Sequence, residues 1–302
     1  MEMLHPEWSY QAVLYEMNVR QLTAEGTLRA AAAKLGFLCD MGIDAVWLMP
    51  VYPIGVEGRK GSLGSYYSVR DYCAVDPCLG TMEDFDAFVA EAHRLGMKVL
   101  LDWIANHTAR DARWVTEKPA SWYERDASGA PAVPWDWTDT AKLNYAEREV
   151  WRAQGDAMEF WVREHGVDGF RCDMAQSLVK GDDKQHTGTM RLWHELRSWF
   201  EAKYPEGILI SEWSQPRQSL RAGFHIDLLI HNGAGTKIYR TLVCQTDDRG
   251  TKETPCFFDY EGRGQVKAFA ENYRTEYETT RELGYAAMPT CSHDIWRLNR
   301  FD

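Results

Sequence analysis

An α/β fold, with a parallel sheet wrapped by helices, is the class this sequence predicts, and three observations predict it. Short apolar runs rich in β-branched residues alternate with amphipathic stretches along the 302-residue chain. Several of the amphipathic stretches stop at a glycine, as helices commonly do. The apolar runs are nearly continuous, which fits strands buried on both faces.

The strands come in order. They are AVLYEMNV (12–19), DAVWLMPV (44–51), KVLLDWIA (98–105), GVDGFRCD (166–173), GILISEW (207–213), FHIDLLIH (224–231) and GYAAMPTC (284–291). Between them, LRAAAAKLGFLCDMG reads as a helix ending at Gly42. TMEDFDAFVAEAHRLG starts from a cap at Thr81 and ends at Gly96, and REVWRAQGDAMEFWVREHG closes at Gly166. GTMRLWHELRSWFEAKYP and GQVKAFAENYRTEYETTRELG supply two more helices.

Seven strands exceed a typical small doubly wound unit and fall one short of a (β/α)8 TIM-type barrel. The expected architecture is therefore such a barrel, incomplete here. Residues 1–106 and 146–302 would form it, without its last strand and helices. Residues 107–145, after strand three, are polar and rich in Pro and Trp. A loop this long is usually functional or a small inserted domain.

Composition excludes some functions. The net charge is -11 and the pI about 5.4, so phosphate backbones and anionic membrane surfaces are poor partners. No segment approaches the ~20 consecutive apolar residues of a membrane span. MEMLHPEWSYQ has no basic n-region, so no signal peptide is expected. Seven cysteines without a CxxC pair read as free thiols, and the cytoplasm is the expected location. The chain has 13 Trp and 14 Tyr, whose flat rings suit sugar faces, although most are expected in the core.

Polar residues gather where the strands end, and in a barrel the C-terminal strand ends face the active site. Asp102, Asn106 and His107 follow strand three, Arg171 and Asp173 end strand four, Glu212 ends strand five, and His293 and Asp294 follow strand seven. A single buried aspartate is more often a structural hydrogen-bonding group than a catalyst. Several at the same end of successive strands reverse that expectation. Clustered carboxylates suit glycoside hydrolysis, in which retaining enzymes hold two of them ~5–5.5 Å apart. Strands lie ~4.8 Å apart, so Asp173 and Glu212 on adjacent ends fit that spacing. Arg171 points to the same side of its strand as Asp173 and is expected to keep it ionised. Ile210 and Trp213 are expected to keep Glu212 protonated.

LLDWIANHT, GFRCDMA, LISEW and TCSHD, in that order, resemble the four signature regions of the α-amylase family of glycoside hydrolases, family 13. GSYYSVRDYCAVDPCLGTMEDF resembles its segment after strand two, and AKLNY the motif closing its inserted domain B. The lysine of AKLNY is nearer the neopullulanase-like version than the common Asp form. The resemblance implies Asp173 as nucleophile, Glu212 as general acid/base and Asp294 as the third carboxylate. It implies that Arg171, His107 and His293 bind the sugar, that Tyr67 stacks on it, and that Asp102 orients its neighbours. Trp213 is a candidate for the acceptor side or for core packing.

Asn106 matches a calcium-coordinating position of many α-amylases. Region two continues AQSLVKG without the histidine those enzymes carry, so calcium, though possible, is expected to be dispensable, with no other cofactor required. Ser292 stands where the family usually has Asn. Relatives continue beyond the fourth region, whereas this chain stops at Asp302, eight residues after Asp294. A missing C-terminal part is therefore expected, with exposed strand edges and poor solubility or weak activity. The implied function is retaining hydrolysis of α-glucosidic bonds in starch, maltodextrin or related α-glucans, through a covalent glycosyl-enzyme. A transglycosylase or isomerase of the same family, or a non-catalytic α-glucan-binding or scaffold member, is the alternative. The presence of all three acids favours an enzyme.

Overall fold

The computed structural model describes residues 5–230, 238–243 and 265–294. Nine strands lie among them: β1 Leu14–Met17, β2 Ala45–Leu48, β3 Lys98–Ile104, β4 His107–Ala109, β5 Thr140–Lys142, β6 Gly169–Asp173, β7 Ile208–Ser211, β8 Ile226–Leu228 and β9 Tyr285–Ala287. Each of the seven apolar runs contains one strand of the parallel set, β1, β2, β3, β6, β7, β8 and β9. Seven such strands are an incomplete (β/α)8 set, as the sequence predicts.

The chain divides into two compact units, one of Pro6–Gly181 with Glu206–Ile208, the other of Asp182–Pro205 with the residues from Leu209 onward and His5. In the first, β1, β2, β3 and β6 pair in that order, all parallel. Ile208, the first residue of β7, joins them through its amide, which donates to Asp168 O at 3.1 Å. Gly169 makes that approach feasible, since a Cβ there would lie 2.2 Å from Ile208 O. In the second unit, β7 pairs with β8 and β8 with β9, again parallel.

The helix Met82–Arg94 starts as its sequence suggests. The Thr81 side chain accepts the Asp84 amide at 3.2 Å, and Asp84 Oδ2 accepts the Thr81 amide at 3.1 Å. This reciprocal pair satisfies two donors that a helix start leaves open. The helix Arg148–His165 ends on Gly166 at φ 69°, a left-handed conformation that glycine adopts without a Cβ clash. LRAAAAKLGFLCDMG departs from expectation. It forms two short helices, Leu28–Ala32 and Leu35–Asp40, rather than one. A tight bond from Lys34 N to Ala31 O (2.9 Å) closes the first turn, and Leu35 begins the second.

Most tryptophans of the described residues are core, as the composition suggests. Trp103 and Trp161 are fully buried and meet Tyr52 edge-on at 6.1 and 5.9 Å. Burying a large apolar side chain stabilises by about 1.5–3 kcal/mol each. The 107–145 insert lies in the first unit. Its ends pair as antiparallel β4 and β5, with His107 opposite Lys142. Inside it, Trp114 packs edge-on against Trp122 at 5.4 Å. Among the described residues no helix is long and apolar enough to cross a membrane, and Cys39, Cys73, Cys78, Cys172 and Cys291 are free thiols.

Candidate active site

In the first unit, strand ends of β2, β3 and β6 bring their polar side chains to one place. Arg171 is fully buried. Its Nη1 donates to Asp102 Oδ1 at 2.8 Å and to Asp173 Oδ1 at 3.0 Å. The register that sets Asp102 opposite Arg171 makes the first bond, and the two-residue strand period makes the second. The guanidinium also lies over the Trp47 ring, 4.8 Å from its centroid. Trp47 Nε1 and Tyr67 OH both donate to Asp102 Oδ2 at 3.1 Å. Asp102 is thus a fully buried hub, whereas Asp173 keeps 7% of its surface accessible. Of the two carboxylates that share the cation, Asp173 is the more accessible.

His107 is buried beside this cluster, and its Nε2–H donates to Tyr67 O at 3.1 Å. Burial, followed by the charge of Lys142, pushes its pKa down to about 3, against the raising effect of the Tyr67 bond. The ring is therefore neutral at ordinary pH. Trp137 packs on it with centroids 5.2 Å apart.

In the second unit, Glu212 follows β7 and is half-buried. The chain on both sides of it is tied to Asp227 on β8. Asp227 Oδ1 accepts the Ser211 hydroxyl at 2.8 Å and the amides of Trp213 and Ser214 at 3.2 and 3.1 Å. Burial raises the Asp227 pKa to about 7, although these bonds lower it. Trp213 is 2% exposed and packs edge-on against His186 at 5.6 Å, with its Nε1 on Gln218 Oε1 at 3.2 Å. That is the packing alternative for this residue. His293 Nε2 lies 3.4 Å from Asp294 Oδ2, and both residues are exposed. Ser292 Oγ accepts the Asp294 backbone amide at 3.1 Å, so the departure at Ser292 acts on the backbone of Asp294.

The family model of the α-amylase catalytic domain matches residues 14–140 and 119–298. The chain belongs to the α-amylase family. It is 30% identical over 233 residues to alpha-amylase 3 of Dictyoglomus thermophilum, covering 68% of this chain and 44% of that protein. It is 36% identical over 208 residues to the alpha-1,4-glucan:maltose-1-phosphate maltosyltransferase of Arcanobacterium haemolyticum, covering 62% of this chain and 28% of that one. The chain thus spans less than half the length of either relative. Among solved structures, the maltogenic α-amylase AmyB of Thermotoga neapolitana superposes with a TM-score of 0.72 at 32% identity, over 91% of this chain and 58% of that one. An α-amylase from Lactobacillus plantarum gives 0.70 at 30%, over 92% and 60%.

The α-amylase family raises the question of calcium at Asn106, and the residues present do not fit it. Calcium needs six to eight oxygen ligands. Here the Asn106 amide nitrogen, a donor, faces Ser177 O at 2.5 Å. A cation is already built in, because Lys142 Nζ donates to Ser177 O at 2.6 Å and to Leu178 O at 3.1 Å. A second cation beside this ammonium would be repelled.

Sequence reasoning missed Trp47, Trp137, Asp227 and the carbonyls of Ser177 and Leu178. The signal for Asp227 was present, since FHIDLLIH holds a carboxylate inside an apolar strand just as GVDGFRCD does. The carbonyls carry no side-chain signal. A cavity of about 740 Å³ with Arg20, Arg59, Arg70 and Arg113 in its lining includes none of these site residues.

Proposed function

We propose that this chain is the catalytic part of a retaining glycoside hydrolase acting on α-glucosidic bonds of starch, maltodextrin or related α-glucans. Asp173 attacks the anomeric carbon and forms a covalent glycosyl-enzyme. Glu212 protonates the leaving oxygen and then activates water, the two steps that retention requires. Asp294 binds sugar hydroxyls and stabilises the oxocarbenium-like transition state. Tyr67, Arg171, His107 and His293 line the cleavage subsite, with the 107–145 insert as domain B, and Trp213 is buried against His186. Calcium is dispensable because Lys142 supplies the positive charge. Free thiols suit a reducing, cytoplasmic setting.

The observation that carries this reading is Arg171 held between Asp102 and Asp173. A buried cation bridging two carboxylates costs desolvation that a purely structural core avoids. At a strand end it fixes one carboxylate oxygen and leaves the partly accessible Asp173 to react. Proton NMR of the first products from a maltooligosaccharide tests it. The α-anomer should appear before mutarotation, and an initial β-anomer would overturn the mechanism. Asp173→Asn should abolish turnover with an unchanged circular dichroism spectrum.

Glycosyl transfer is the second reading, favoured by the higher identity to the maltosyltransferase. Product analysis separates the two, since transfer lengthens the acceptor and hydrolysis yields only shorter sugars.

A further inference from the structure

Trp135 is a large apolar residue on the outside of the insert, 58% exposed. Its backbone sits at φ 50°, in the left-handed region. That conformation costs a non-glycine residue about 1–2 kcal/mol, and turns that need it normally use Gly or Asn. Exposure of the indole to water returns nothing for that strain. The turn itself is firmly held. Trp137 N donates to Pro134 O at 3.1 Å, so Trp135 and Asp136 are its two central residues. Pro134 is buried, and Lys60 Nζ donates to Asp136 O at 3.0 Å. The chain therefore holds a tryptophan outward at a position where local energetics favour a small residue. Strain of this kind gathers at functional sites.

The indole is continuous with the candidate active site. Its ring meets Trp137 with centroids 4.5 Å apart and planes inclined by 47°. Trp137 packs on His107, His107 donates to Tyr67 O, and Tyr67 OH reaches Asp102. Asp102 shares Arg171 with Asp173. This path runs through one compact unit from the proposed nucleophile to the exposed ring.

We propose that Trp135, backed by Trp137, is a stacking platform for a glucosyl residue of an α-glucan chain, away from the bond being cleaved. The proposal rests on the α-glucan reading above. A pyranose presents C–H groups on its faces, and a flat, rigid indole covers such a face with little loss of rotamer freedom. The polar edge of the indole stays free to meet hydroxyls, as an amphipathic binding ring requires.

Titration calorimetry with maltoheptaose and with maltose, on the Asp173→Asn chain, which does not turn over, and on the same chain carrying Trp135→Gly, tests this. Trp135→Gly should weaken maltoheptaose binding by about tenfold, roughly the contribution of one aromatic contact, and maltose binding by much less. Its melting temperature should stay equal or rise, because glycine accepts the positive φ without strain. A conventional packing residue would give the opposite, lower stability with unchanged affinity, and that result would overturn the platform. Trp135→Leu, which keeps apolar area without a flat face, should lose the same affinity, and retention of binding by this variant would count equally against stacking. Binding of maltoheptaose by the Asp173→Asn chain, with no hydrolysis of it by the wild-type chain, would remove the catalytic reading and leave the platform standing. Absence of binding of either sugar to the Asp173→Asn chain would remove the platform itself.

Discussion

Ser211 and Asp227 face each other across the β7–β8 ladder, and the Ser211 hydroxyl donates to Asp227 Oδ1 at 2.8 Å. The same oxygen accepts the Trp213 and Ser214 amides, so the chain before and after Glu212 is fixed to one carboxylate. Asp227→Ala should therefore lower kcat on an α-glucan far more than it changes KM. A misplacement near 1 Å at a catalytic group costs on the order of 10²-fold. Steady-state kinetics reads the split, and an unchanged kcat would mean that other contacts place Glu212.

The same residue gives a pH signature. Burial raises its pKa to about 7, from ~3.9 in an unfolded chain. The folded state thus binds the proton more tightly. Its stabilising contribution is complete below about pH 4 and is lost as pH rises through about 7. Asp227→Asn should remove that part of the slope. Melting temperatures of both proteins across this range decide it, with parallel curves excluding titration of Asp227.

Glu212→Gln should spare aryl glycosides with good leaving groups far more than natural glucans, because those groups depart without protonation. Comparable losses on both substrates would assign Glu212 a structural role instead.

Chelation offers a further check. With Lys142 occupying the carbonyls of Ser177 and Leu178, EDTA should leave the melting temperature unchanged. Lys142→Met should cost about 1–3 kcal/mol, since two carbonyls lose a charged donor. A drop with EDTA that calcium specifically reverses would show a metal site in this family member.

How much of the site was legible depended on sequence distance. Arg171 and Asp173 are two apart on one strand, and the strand period alone brings both to one side. Asp102 stood out as a charge inside an apolar run, which suffices to mark a buried polar group. Its bonds to Trp47, Tyr67 and Arg171 were not legible, because these residues come from separate segments and meet it only through packing and register.

By itself, the sequence determined the seven parallel strands, the capped helix at Thr81, the stop at Gly166 and the order of the signature residues. These follow from periodicity, local hydrogen bonding and backbone sterics within a few residues. Only the tertiary structure decided that Asp227 clamps the Glu212 loop, that Lys142 reaches carbonyls 35 and 36 residues away, and that Trp213 is buried while Trp135 is exposed. Side-chain chemistry is identical for those two tryptophans. What differs is which neighbours the fold brings to each, and that is set by contacts between segments distant in the chain.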